Sequence, residues 1–202
     1  MLRRGAIELV ATVTAALFFA LAIQAYAVKP YRIPSGSMEP TLKVGERILV
    51  NRFSHRIGGD PGLNDITVFI PPRGADTDAC GHPGEGPFYQ GPGSSRPCSQ
   101  STGGEGSEAF VKRVVGLPGD TIAVRHGHVI RNGKPAREPF ASECEDPSCN
   151  LDPITVAPGH YFMMGDNRGF SDDSRYWGPV ARGQIIGRAV LAYWPLGRLG
   201  GL

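Results

Sequence analysis

The sequence has almost no net charge. Twenty-one basic and nineteen acidic residues leave a formal +2, which removes the electrostatic reason to expect a nucleic-acid partner. No strong amphipathic helical pattern is present, and 28 glycines and 18 prolines interrupt the chain. A helical bundle is therefore a poor fit. There is no G-x-S-x-G elbow and no recognisable Ser-His-Asp motif. No C-x-x-C spacing marks a zinc site, and no full EF-hand ligand pattern occurs. No internal repeat stands out. Lysine is scarce, limited to Lys29, Lys43, Lys112 and Lys134. What remains is a chain of 202 residues, 41% apolar, enough for one domain with a core, with or without a membrane segment.

The apolar residues are concentrated first at the amino terminus. Residues 9–23 are apolar except Thr12 and Thr14, behind a basic start at Arg3 and Arg4. A helix over 5–28, interrupted only by Glu8 and Gln24, rises about 36 Å, enough to cross a hydrocarbon layer of about 30 Å. The arginines would hold the start in the cytoplasm and place the rest outside. Three readings compete: a retained anchor, a cleavable leader ending at Ala25-Tyr26-Ala27, and a buried core helix, which lacks the expected polar face. The first two share one topology, with the bulk of the chain extracytoplasmic.

From Lys29 the pattern changes to short β-branched runs bounded by Gly, Pro, Asp or Asn. They fall at 47–50, 66–70, 110–115, 121–124, 128–130, 161–164 and 185–193, with an Asn132-Gly133 hairpin signal. A mostly β domain of antiparallel strands, such as a partly closed barrel, is expected. Between 71 and 107, fifteen of 37 residues are Gly or Pro, so this stretch reads as an excursion loop. In an extracytoplasmic domain Cys80, Cys98, Cys144 and Cys149 are expected to form disulfides. Pairing each with its neighbour gives Cys80–Cys98 and Cys144–Cys149. A zinc site from Cys80, His82 and Cys98 is the rival.

Three stretches carry the chemistry. In Pro34-Ser35-Gly36-Ser37-Met38-Glu39-Pro40, two prolines restrict the backbone and Gly36 permits a tight bend, so a serine could be held exposed beside backbone N–H groups. A linker is the alternative. A serine needs a base; none of His55, His82, His126, His128 and His160 lies in a triad pattern. Lys112 sits inside an apolar strand pattern, where desolvation would lower its pKa toward a usable range; an outward-facing lysine is the alternative. Residues 165–178 form a polar stretch after an apolar strand, read either as an ion-paired turn or as an acidic calcium loop, which Arg168 and Arg175 would neutralise.

Taken together, the stretches resemble bacterial type I signal peptidase, a membrane-bound Ser/Lys serine protease. The likeness rests on Ser35-Gly36-Ser37-Met38-Glu39-Pro40-Thr41-Leu42, on Val111-Lys112-Arg113-Val114-Val115-Gly116-Leu117-Pro118-Gly119-Asp120, and on Gly165-Asp166-Asn167-Arg168 through Ser171, Asp173-Ser174-Arg175-Tyr176-Trp177-Gly178. A weaker block runs from Gly187 to Pro195. The excursion loop does not match. The resemblance implies Ser37 as nucleophile and Lys112 as general base. It implies that Ser171 hydrogen-bonds and orients the lysine, and that the Ser35 hydroxyl joins the Ser37 N–H in an oxyanion hole. Asp166, Asp173, Arg175 and Arg113 would form a supporting polar network.

The implied fold is a coiled antiparallel β-sheet, or partly closed barrel, behind one transmembrane helix. The expected organisation is a cytoplasmic start at 1–6, an anchor at 7–28, and a peptidase domain at 29–202 with an insertion at 71–107. The implied activity is removal of signal peptides from exported preproteins after an A-x-A motif, at the outer face of the cytoplasmic membrane. The implied partners are those preproteins and membrane lipid, with no nucleic acid, no cofactor, no metal, and a monomeric chain. The family retains its helix, which favours an uncut Ala25-Tyr26-Ala27. A non-catalytic anchored β-module, a self-cleaving repressor-type protease and a specialised pilin or conjugation peptidase are the competing functions.

Overall fold

A computed structural model of the chain describes residues 2–53, 58–85, 96–146 and 149–202. Within the first helix, side chains are described for Gly5 and residues 8–19. His55, Pro147 and the side chains of Arg3, Arg4, Ala25 and Tyr26 lie outside the described residues.

Helix α1 spans Leu2–Tyr26. Its described side chains are all exposed, among them Leu9, Val13 and Phe18. Among the described residues, no helix is long and apolar enough to cross a membrane. The chain then enters strands β1 (Val28–Arg32), β2 (Arg47–Asn51), β3 (Ile66–Phe69) and β4 (Phe110–Gly116). A hairpin region follows: β5 (Thr121–Arg125), β6 (His128–Arg131), β7 (Lys134–Pro135) and β8 (Leu151–Thr155). The chain ends with β9 (His160–Met164), helix α2 (Ser174–Trp177), β10 (Val180–Ala181), β11 (Ile185–Trp194) and β12 (Gly200–Gly201).

All described pairings are antiparallel. The larger sheet runs β1-β2-β11-β3-β4-β9-β10, with β12 also on β11. The smaller runs β7-β6-β5-β8. Register breaks along β11, against both β2 and β3, and a further break between β4 and β9 bend the larger sheet, because each extra residue kinks its strand and adds twist. The sheet curls without closing on itself, ending in β1 and β10.

The seven β-branched runs all became strands. Those absent from the sequence reading include β1, β7 and β8, each of which contains a proline. All three lie at sheet edges, where a missing N–H breaks no ladder. At the β6–β7 turn, Asn132 and Gly133 have φ of 52° and 76°, the left-handed pair that a two-residue hairpin requires. Three clusters fill the core. Ile33, Met38, Leu42, Val50 and Val68 form the first. Phe69, Val114, Met163 and Trp177 form the second. Val115, Ile122, Leu151 and Phe162 join the two sheets. Neighbours Val114 and Val115 thus face opposite ways and tie β4 into two cores.

In the 71–107 excursion the described parts are held by isolated bridges, Pro72 to Glu105 and Cys80 to Ser101. The cysteines are joined as Cys80–Cys98 and Cys144–Cys149. The first bond takes both sulfurs that a Cys80/His82/Cys98 zinc site would need.

Candidate active site

Ser37 sits in a single 3-10 turn, Gly36–Met38. Asn167 holds this turn against the loop that follows β9. Its side-chain amide donates to Gly36 O at 3.2 Å, and its backbone N–H donates to Ser37 O at 3.1 Å. Lys112 is carried by β4, paired opposite Thr67 of β3. Strand β9 pairs with Arg113 but not beyond it. The chain leaves the sheet at Gly165, and the β4 edge before Arg113 is left open on that side.

The lysine and the serine meet there. Lys112 Nζ donates to Ser37 Oγ at 2.8 Å, and Ser35 Oγ donates to the same oxygen at 3.3 Å. Lys112 is 4% exposed and Ser37 8%. Burial pulls the Lys112 amine down from 10.5 to about 8; Asp173, Asp172 and Asp166 oppose that shift and Arg175 adds to it. Loss of hydration penalises the charged form, and this outweighs the nearby carboxylates. The amine is thereby brought into the range where it can act as a base near neutral pH.

Two buried ion pairs, Arg113–Asp166 and Arg175–Asp173, lie nearby. Arg113 grips Asp166 through two bonds, Nε to Oδ1 at 2.8 Å and Nη2 to Oδ2 at 2.6 Å. It also donates to Asn64 O and stacks over the Phe140 ring. Thr41 Oγ donates to Asp166 Oδ2 at 2.5 Å, which ties the segment that carries Ser37 to β4. Arg175 grips Asp173 in the same forked way, at 2.8 and 2.9 Å, and donates to the carbonyls of Arg168 and Ser171. Burial alone would raise the Asp173 carboxyl, but the Arg175 charge and hydrogen bond hold it below the usual range. Asp173 also accepts from Gly165 N. Gly165 has no room for a side chain: a Cβ there would collide with Ser171 Oγ and Ser37 O.

Two features depart from expectation. Ser171 is buried beside this site, but among the described residues its hydroxyl has no hydrogen-bond partner, so the expected bond to Lys112 is not formed in this structure. Its backbone, pinned by Arg175, is what fixes it. The second is a further buried pair, Arg168–Glu138 at 2.8 Å. Arg168 Nε donates to Gly165 O, which locks the same turn from below. Arg168 lies in a recognised block; Glu138 lies in none and carries no local signal. Of the remaining histidines, His126, His128 and His160 lie on the smaller sheet or at its turns, or at the start of β9, and His82 is on the excursion loop.

A cleft of about 420 Å³ opens at Ser37 and Lys112, lined by Ile33, Met38, Ala109 and Val111 and also by Glu108 and Asp172. The sequence matches the family model described as "Signal peptidase, peptidase S26" over residues 6–194. The chain belongs to the signal peptidase S26 family. It is 34% identical over 194 residues to a probable signal peptidase I-2 from a Synechocystis species, covering 96% of this chain and 76% of that one. It is 36% identical to a signal peptidase I from Leptolyngbya laminosa, covering 96% and 83%. With a signal peptidase I of Pseudomonas aeruginosa it shares 31% identity, over 89% and 70%. A crystal structure of a signal peptidase I from Enterococcus faecalis aligns with a TM-score of 0.43 at 26% identity, covering 64% of this chain and 96% of that one. As a member of the signal peptidase family, the chain is a serine endopeptidase of the kind that removes signal peptides from preproteins.

Proposed function

We propose that the chain cleaves preproteins after an A-x-A motif, with Ser37 as nucleophile and Lys112 as general base. The observation that carries this reading is the 2.8 Å contact between two buried groups, Lys112 Nζ and Ser37 Oγ. Lys112 in its neutral form takes the Ser37 proton as Oγ attacks the carbonyl. The resulting oxyanion is held by the Ser37 N–H and the Ser35 hydroxyl, which lies 3.3 Å from Oγ. Protonated Lys112 then gives its proton to the leaving amine, and the acyl group on Ser37 is hydrolysed with Lys112 again as base. A lysine has no tautomer to set, so no triad acid is needed. Asp166–Arg113 and Asp173–Arg175 hold the two loops that bring the dyad together.

The cleft favours small residues. Its apolar part, Ile33, Met38, Ala109 and Val111, suits Ala at the residue before the cut and two places earlier. The substrate lies extended along the open β4 edge. Residues 7–28 supply the anchor, whose helical part ends at Tyr26: α1 exposes Leu9, Val10, Val13, Leu17, Phe18 and Phe19, side chains that call for an apolar solvent. Arg3 and Arg4 keep its start in the cytoplasm, so the 29–202 domain works at the outer membrane face, where shared tethering raises the encounter with substrate. Amino-terminal sequencing of membrane-purified chain should read from the anchor and not from Val28.

The test is incubation of an A-x-A precursor with the purified chain and with its Ser37→Ala and Lys112→Ala variants. Cleavage is expected for the native chain and for neither variant, with folds retained. Normal processing by both variants overturns the assignment.

A further inference from the structure

The cleft continues past the dyad. Two of its walls are chain segments that each reach a reactive residue after four steps, Ile33 to Ser37 and Glu108 to Lys112, and Phe170 and Asp172 line it as well; Asp172 stays in place in every variant below. Glu108 and Phe110 are also walls of a second cavity of about 260 Å³, which is lined further by Pro71, Asp76 and Gly106. The floor of this extension is built: Gly106 N donates to Pro71 O at 2.8 Å, and Pro72 bridges to Glu105. The base of the 71–107 excursion thus forms part of a groove that starts at the catalytic pair. Asp76 and Glu108 are exposed on it, and among the described residues neither is in an ion pair.

The direction of the groove follows from its first wall. The Ile33 side leads back through β1 to the end of α1. A peptide leaving the dyad between the walls runs toward the helix, the side on which an apolar leader remains in the bilayer. We propose that Asp76 and Glu108 select a cationic side chain in the leader segment, at the fourth to sixth residue before the cut. This rests on the peptidase reading above. An extended peptide advances about 3.3 Å per residue; laid beside β4 with its scissile residue at Lys112, it brings its fifth residue before the cut to Glu108. Asp76 lines the same second cavity as Glu108.

The chemistry sets the size of the effect. Exposed ion pairs are weak and screened, so two carboxylates favour Lys over Gln by about 3- to 10-fold in kcat/KM at low salt. The change falls in KM, since both charges lie away from the reacting atoms. The experiment uses the full chain in detergent micelles with A-x-A precursor peptides bearing Lys, Gln or Glu at the fourth to sixth residue before the cut. The Lys:Gln ratio is measured in native chain, in Asp76→Asn/Glu108→Gln, and in Asp76→Lys/Glu108→Lys. We expect a ratio above one in the native chain that shrinks in high salt, a ratio near one in the neutral variant, and preference for Glu in the reversed variant. Equal rates for Lys and Gln in the native chain overturn the inference, as does a ratio that none of the substitutions moves. If the Gln peptide itself is not cut, the peptidase reading fails and takes this inference with it.

Discussion

Replacing Lys112 with Met should abolish activity and yet stabilise the protein. Lys112 is 4% exposed, and its pKa falls from 10.5 in the unfolded chain to about 8 in the fold. The folded state therefore disfavours the charged form. At about 1.4 kcal/mol per unit, carrying the proton into the core costs about 3 kcal/mol. The sign of the pH dependence follows. Below about 8 the lysine is charged in both states and the penalty is complete. Between about 8 and 10.5 the unfolded chain binds more protons than the folded one, so native stability rises with pH. Above 10.5 the penalty is gone. Met has nearly the same length and no charge, so it removes the cost and also the hydrogen bond to Ser37, worth about 1 kcal/mol. The net gain near neutral pH is about 2 kcal/mol, or a Tm increase of about 4–8 °C for a chain of this size. Thermal melts of the full chain in detergent, followed by the fluorescence of buried Trp177, measure it. The difference between variant and native should be largest at about pH 6–7 and should close as pH passes through the interval from 8 to 10.5. A variant that is less stable than native at neutral pH, by an amount that pH does not alter, refutes a desolvated lysine.

Two further substitutions probe what holds the dyad. Asp173→Asn leaves Arg175 buried without its partner and should cost about 3–5 kcal/mol in thermal or denaturant unfolding. It also removes a carboxylate that opposes the Lys112 shift, so any residual activity should begin its rise at lower pH than in the native chain. Gly165→Ala forces the Ser37 carbonyl or the Ser171 hydroxyl aside. A displacement of about 1 Å in a catalytic group typically lowers kcat by about 100-fold, and steady-state precursor cleavage would detect it; an Ala variant with native kcat means the turn has room that this packing does not leave.

Local pattern was enough for the strands whose side chains do the packing. Val114 and Val115 belong to different cores, and a β-branched run with both faces buried is legible in one dimension. The strands holding Pro30, Pro135 and Pro153 were not, because their place depends on which strands flank them. At the site, Ser37, Lys112 and the 165–178 stretch could be singled out by chemistry and order along the chain. Their partition could not. That Arg113 closes on Asp166, and Arg175 on Asp173, is decided by which face of β4 and which turn of α2 meet in space. Glu138 is the clearest case: it comes from the edge of the smaller sheet to pair with Arg168, and nothing near it in the chain announces a buried carboxylate. The split between Ser171's pinned backbone and its unpartnered hydroxyl likewise depends on where Arg175 reaches.

The most direct test of a Lys112 base is the pH dependence of kcat/KM for an A-x-A precursor under conditions where chemistry limits the rate. The account predicts activity that is low in mild acid and rises along a single limb with an apparent pKa of about 8. A profile that stays level from about pH 5 to pH 9 contradicts it.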